Sequence, residues 1–368
     1  MQTTAKIVLN TVQKNSQLWQ TYQAKKAETP MLFPTEGAMV LGVSELELLL
    51  ASPNSRYLGD NCRDMLLELH TLGVVESIVR NEFCVHEQQG VYRNLELGKM
   101  MGLALGDGSD GLDLRLFLHK FKHMLAIVNN DKAKPSYSIA FFDERGNAIN
   151  KAFLTQFDDD SVQTWQQLTD KFAENAASEI ELLPIAPQNQ WQLHTLNVDD
   201  KQQFGDDWQA MTDIHQFHSI LKKYELDRAS GYHNAPDGMA VAVKPEIVEV
   251  LLNKLASEQV NTMIFVGNMG MVQIFAGGLH HIKRMGNWLN VMDKKATGFT
   301  LHLNDKALTQ VWFIKRPNSD GFTSAFEGFD AKGNSIVTWF GVRTEGQQQD
   351  PKWQELAQNL ADEFKLEQ

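Results

Sequence analysis

The chain has 368 residues, 43% hydrophobic and 22% charged, enough for two domains with sizeable cores and the composition of a soluble globular protein. Its formal net charge of −12 counts against a nucleic-acid partner, since phosphate binding calls for a basic face, and an anionic ligand would need Arg and Lys gathered in one place. No apolar run approaches the roughly 20 residues of a membrane span, and "MQTTAKIVLNTVQKNSQLWQ" lacks the apolar stretch of a signal peptide, so no membrane insertion and a cytoplasmic location are expected.

In chain order, "EGAMVLGV" (36–43) comes first, and "SELELLLA" follows with helical spacing. Cys62 and Cys84 form no CxxC pair and read as free buried thiols. "LDLRLF" reads as a strand that sets Arg115 between Leu114 and Leu116, facing away from both, with Phe117 on its side. "FFDERGNAI" (141–149) holds an Asp-x-x-Gly hairpin turn in which Gly supplies positive φ, and "WQQLTDKFAENA" closes the half as a helix. "PIAPQNQWQLHTLNVDD" serves as a linker.

The second half reads like the first. "GFDAKGNSI" (328–336) matches the hairpin at an offset of 187, and the same offset pairs Val79 with Val266, Asn81 with Asn268, Leu114 with Leu301 and Phe153 with Phe340. "WQELAQNLADEF" repeats the closing helix. "DGMAVAV" (237–243) resembles "EGAMVLGV" at an offset of 201, which makes the first half about 14 residues longer near "SPNSRYLGDNC". "PEIVEVLLNKLA" has helical spacing, and "VNTMIFVGNMGMVQIFAGGL", "GFTLHL" and "LTQVWFIKRP" read as strands. The expectation is an α+β fold with an internal duplication: repeat one at 1–182, a linker at 183–199 and repeat two at 200–368, each half a large antiparallel sheet with flanking helices. No GxxxxGK[ST] loop supports a nucleotide-binding fold.

Within "MTDIHQFHSILKKY" (211–224), Ile214, Phe217, Leu221 and Tyr224 form one helical stripe, and Met211, His215, His218 and Lys222 a second beside it. His215 should therefore border the buried face, as either a structural histidine or a ligand in a pocket. A zinc site is a weaker rival, because His-x-x-His gives two ligands and no third is in view. His119 and His123, and His280 and His281, fit no catalytic pattern and read as structural. Where the halves disagree, Arg115 stands against His302, His86 against Gln273 and Gln156 against Arg343.

"WQAMTDIHQFHSILKKY", "VRNEFCVHE", "LDLRLF", "GNMGMVQIFAGGLHHIKRMGNWLNVMD", "GFTLHL" and "FDAKGNSIV" together resemble the HemS/ChuS/HmuS family of hemin-degrading and haem-transfer proteins, over nearly the whole chain. The resemblance implies two similar halves and a haem cleft between the second half's sheet and its leading helix. It makes His215 the proximal iron ligand and Arg115 the distal residue, with Phe117 near the porphyrin. Arg228, Phe265, Lys315 or Arg316, and Arg343 match pocket-lining or propionate-binding positions. His86 is a secondary ligand candidate set against a plain surface histidine, and His218 a bystander. The residue types are chemically suited to haem, because a neutral imidazole ligates its iron, and Arg stays protonated and grips carboxylates bidentately.

Two functions follow from the resemblance. One is oxidative opening of haem b, delivered by an importer, with electrons from an external donor such as a reductase. The other is a carrier that hands haem to an acceptor protein. A third class, DNA binding through "LGVSELELLLAS" as a helix-turn-helix, lacks a basic recognition helix, since Glu45 and Glu47 stand there and no Arg or Lys does.

Overall fold

The computed structural model describes residues 5–9, 12, 14–106, 110–130, 135–174, 176–185, 190–343 and 347–367. The chain divides into two compact units, the first made of Met1–Arg80, Glu87–Gln188 and Asn268–Gln273, the second of Asn81–His86, Asn189–Gly267 and Ile274–Gln368. Each unit thus takes six residues from the other half of the sequence, and the two hexapeptides stand 187 residues apart. Of the linker expected at 183–199, residues 186–189 lie outside the described residues.

In the first unit five antiparallel strands run in the order Ser55–Gly59, His123–Asn129, Ser136–Phe142, Ala148–Leu154 and Val75–Arg80. A smaller antiparallel set joins Leu95–Leu97, Gly102–Ala104 and Asp113–Leu116. In the second unit the order is Ala240–Val243, Gln310–Asn318, Gly321–Phe329, Ser335–Gly341 and Thr262–Gly267. Its smaller set joins Ile282–Met285, Trp288–Asp293 and Phe299–Leu303. The fold is α+β, as the alternation of short strands and amphipathic helices requires.

Both faces of each five-stranded sheet are buried, and strand alternation divides the side chains between them. In the second unit Val311, Phe313, Phe326 and Trp339 pack under the helices Ile247–Ser257 and Pro351–Phe364. Trp312, Ile314, Ala325 and Phe329 line the opposite face under Val198–Gln209, Gln216–Lys223 and Arg228–His233. In the first unit the corresponding second face is filled by Leu46, Leu49 and Leu50 and by Ile180 and Leu182. The segment once open to a DNA-binding reading is therefore core: Leu46, Leu48, Leu49 and Leu50 of the helix Glu45–Leu50 are all buried, and its start is closed by a Ser44–Glu47 capping box.

The hairpin turns form as expected. Asp143 Oδ1 accepts from the Arg145 and Asn147 N–H groups, with Gly146 at φ 80°. Asp330 does the same for Lys332 and Asn334, with Gly333 at φ 73°. The duplication also shows in two asparagines. Asn81 Nδ2 donates to the Gly267 and Ile336 carbonyls while its Oδ1 accepts from Phe83 and Cys84 N–H. Asn268 Nδ2 donates to Arg80 and Ile149, and its Oδ1 accepts from Gly270 and Met271.

One sequence expectation is corrected. "EGAMVLGV" lies largely in the helix Pro34–Leu41, whereas "DGMAVAV" contains the strand Ala240–Val243. Register identifies that strand's true equivalent: Ser55 pairs with Ile127, and Ala240 with Ile314. The offset upstream is therefore 185, and no 14-residue excess separates the halves there. The same shift matches the helix starting at Ile247 to the one starting at Cys62 rather than to "SELELLLA". A short apolar run carries no periodicity long enough to separate helix from strand. Cys62 and Cys84 form no disulfide and are both buried, as read.

Candidate functional site

The face of the second unit that lies under three helices is built around Phe217. Its ring meets Trp208 edge-on at 4.4 Å and stacks on Tyr232 at 5.9 Å with 16° between planes. The Arg316 guanidinium sits 4.5 Å from the same ring centroid, a cation–π contact in a desolvated setting. Arg316 also donates to the Tyr232 hydroxyl at 2.6 Å, Tyr232 donates to Glu327 Oε2 at 2.5 Å, and Arg228 Nη1 donates to Glu327 Oε1 at 2.9 Å. Glu327 is completely buried. Burial alone would raise its pKa, but the Arg228 and Arg316 charges and the Tyr232 hydroxyl outweigh it and hold the carboxyl below its ordinary value. Glu327 raises Arg228 in turn.

This network anchors the start of the helix Gln216–Lys223. His215 does not lie within that helix. It occupies the N-cap position, and its side chain is 86% exposed. That corrects the expectation of a histidine bordering the buried face. The periodicity assumed a helix running through 211–224, whereas 212–215 fold as a turn. Gln216 Oε1 accepts from the Thr212 and Asp213 N–H groups at 2.9 and 3.1 Å, and the Ser319 N–H donates to the Thr212 carbonyl. Phe217 and Leu221 keep the buried stripe, while His218 and Lys222 are exposed.

Asp213 completes the turn. Its Oδ1 accepts from the His215 backbone N–H at 2.8 Å and lies 2.7 Å from His215 Nδ1. The His215 N–H and imidazole hold the Asp213 carboxyl below its ordinary value, with a smaller pull from Arg343. With Nδ1–H donating to the carboxylate, the lone pair stands on Nε2, where an electrophile or metal ion can meet it.

The remaining expected residues fall into distinct settings. In the second unit Arg228 is 43% exposed. Phe265 is half-buried, 5.2 Å from Phe340. Arg343 is half-buried with Nη2 3.6 Å from Asp320 Oδ2. Lys315 and Arg316 point to opposite faces of the strand Gln310–Asn318. Lys315 Nζ lies over Phe313 and Phe322, whereas Arg316 is 7% exposed and committed to Tyr232, Phe217 and Glu327. His86 is not a surface histidine. It is fully buried, 4.9 Å from the Phe299 ring, and burial pushes its pKa down to about 3. In the first unit Arg115 faces away from the buried Leu114 and Leu116, donates to Asp113 and to the Leu114 carbonyl, and is half-buried, as is Phe117. Among the described residues, no group of three or more His, Cys, Asp or Glu is arranged to hold a metal ion.

Sequence reasoning missed Asp213, Tyr232, Glu327 and Asp113. Asp213 had a readable signal, an acceptor two residues before a histidine at a helix start. Glu327 had a weaker one, the one charged residue in the strand Gly321–Phe329, with Ala140 as its counterpart.

The chain is thus a duplicated α+β protein that presents the His215 imidazole at the start of a helix. The chain belongs to the HemS family, described as the haemin-degrading HemS.ChuX domain, which matches residues 42–172 and again 225–360. It is similar to the hemin transport protein HmuS of Yersinia pestis, 34% identical over 350 residues that cover 94% of this chain and 98% of that protein. It is also similar to the hemin transport protein HemS of Yersinia enterocolitica, 33% identical over 92% of this chain and 95% of that protein. Of solved structures, holo-PhuS, a heme-binding protein from Pseudomonas aeruginosa, superposes with a TM-score of 0.84 at 31% identity, covering 96% of this chain and 100% of that one. ChuS, an E. coli heme oxygenase, gives 0.79 at 30% identity, covering 94% and 99%. Among the described residues no helix is long and apolar enough to cross a membrane.

Proposed function

We propose that the chain binds haem b through its second repeat, with His215 Nε2 as the axial ligand of the iron, and opens the porphyrin oxidatively to free that iron. The observation that carries the reading is the His215 imidazole, 86% exposed with Nδ1 held against Asp213. A neutral imidazole with one nitrogen tied to a carboxylate is the usual form of a metal-ligating histidine. Arg228 and Arg343 supply cations for the propionates. Lys315, on the other sheet face, and the buried Arg316 are less suited to that role, and Arg316 acts as scaffold. Phe265 offers an aromatic surface. Arg115, a permanent donor on the first unit, is the proposed distal and catalytic residue with Phe117 beside it. His86, sealed in the core, is set aside as a ligand. Haem would arrive from an importer in the cytoplasm, and electrons from a reductase or another external donor.

A second reading, a carrier that passes haem to an acceptor protein, draws support from the two relatives named as hemin transport proteins. Hemin titration tests the shared part: His215→Ala should weaken binding and change the ferric spectrum, and an unaltered spectrum overturns the ligand assignment. Adding ascorbate under catalase then separates the two. Loss of the Soret band with a tetrapyrrole product supports the enzyme, and an unchanged band with rapid transfer to an acceptor supports the carrier.

A further inference from the structure

We infer that Asp213 is a positioning residue for His215, which fixes the imidazole tautomer and adds carboxylate charge behind the ring. The inference rests on the haem reading for its purpose, but not for its geometry. One carboxylate oxygen, Asp213 Oδ1, lies 2.8 Å from the His215 backbone nitrogen and 2.7 Å from its Nδ1. The backbone N–H can only donate, so the oxygen is an acceptor on that side. An ionised carboxylate has no proton to give Nδ1, and the imidazole must donate there too. The proton therefore sits on Nδ1 and the lone pair on Nε2.

The carboxylate is itself held. Gln216 Oε1 fixes the Thr212 and Asp213 N–H groups, and the Gln216 N–H donates back to the Asp213 carbonyl at 3.1 Å. The Ser319 N–H ties Thr212 to the strand hairpin at 318–321. Neither Asp213 nor His215 is buried, at 59% and 86% exposed side chain, so their pairing adds little to folding. A tight, doubly used acceptor on an exposed turn is explained by what it does to the ring. Partners of this kind orient a ligating histidine, raise its basicity, and typically change metal affinity 10–100-fold when removed.

The first test needs no haem. In the unliganded protein, imidazole ¹⁵N–¹³C NMR should show His215 as the Nδ1–H tautomer. Asp213→Ala should shift it to a mixture or to Nε2–H, and Asp213→Asn, which keeps an acceptor oxygen, should retain Nδ1–H. A wild-type Nε2–H form, or an Asp213→Ala spectrum like wild type, overturns the inference whatever the protein binds. The second test uses hemin. Asp213→Asn should shift the ferric-to-ferrous midpoint to a more positive potential, and Asp213→Ala should weaken hemin binding about 10-fold or more. If His215→Ala alters the haem spectrum while both Asp213 variants leave potential and affinity unchanged, the inference fails and the haem reading stands. If His215→Ala also changes nothing, the haem reading fails, and the tautomer result alone decides the role of Asp213.

Discussion

Arg316 and Glu327 are joined through a shared hydroxyl: Arg316 Nη2 lies 2.6 Å from Tyr232 Oη, which donates to Glu327 Oε2. Arg228 reaches the other carboxylate oxygen. One buried negative charge thus serves two guanidiniums in the second unit. Breaking a buried ion pair by removing one partner leaves an uncompensated charge, at a cost of about 3–5 kcal/mol. Glu327→Gln should lower the urea midpoint by that equivalent, and adding Arg316→Met should recover part of the loss. A Glu327→Gln midpoint equal to wild type would show that the arginines are satisfied without it.

Acid should destabilise the fold, and the sign follows from His86. Burial holds this imidazole near pKa 3, against an ordinary 6.5. Below pH 6.5 the unfolded chain binds a proton that the folded chain refuses, so stability falls by about 1.4 kcal/mol per pH unit towards pH 3. The stability is fully present above 6.5. Glu327, held below the ordinary 4.5, adds a loss of the same sign only at lower pH. Urea unfolding at pH 7, 6 and 5 should show a steeper decline in wild type than in His86→Leu. Parallel declines would mean that another group sets the slope.

How much of this was legible in the sequence depends on the length of the signal. The duplication was, because turns such as Asp143–Gly146 and Asp330–Gly333 impose the same residues wherever they recur. The α+β class was, because strand alternation and the Trp165 and Trp353 helices are long patterns. The exchange of hexapeptides was not, since Asn81 and Asn268 match as a pair whether they bond within their own half or outside it. The setting of His215 was misjudged because helical periodicity cannot see a turn made by Gln216 and Asp213 side chains. Arg316 against Lys315 was beyond reach as well: adjacent strand residues face opposite ways, and only packing tells which way is inward.

The first unit should take no haem. At the offset of 187, Arg316, Glu327 and Arg343 fall on Asn129, Ala140 and Gln156, and the equivalent sheet face is filled by Leu46, Leu49, Ile180 and Leu182. The Arg343 charge proposed to meet a propionate is gone, the Arg316–Glu327 scaffold is gone with it, and the space is occupied by core. Hemin titration followed at the Soret band should therefore break at one equivalent per chain. Arg115→Ala should keep that end point while changing the sixth-ligand signature of the ferric spectrum. A break at two equivalents would refute the single site.

Asn81 and Asn268 should have separable effects. Each makes two donor bonds and two acceptor bonds to backbone groups, Asn81 to carbonyls of the second unit and Asn268 to carbonyls of the first. Replacing either by Ala leaves part-buried carbonyls and N–H groups without those partners, at about 1–3 kcal/mol for each group that water cannot reach. The loss should be local. In Asn81→Ala, amide exchange should quicken in Thr262–Gly267 and Ser335–Gly341, the strands that carry Gly267 and Ile336. In Asn268→Ala it should quicken in Val75–Arg80 and Ala148–Leu154, which carry Arg80 and Ile149. The two variants should also lower the melting temperature by similar amounts, because the bond sets are copies of one another. If either variant loosens all four strands alike, the asparagines do not act within their separate units, and the hexapeptides are held chiefly by something else.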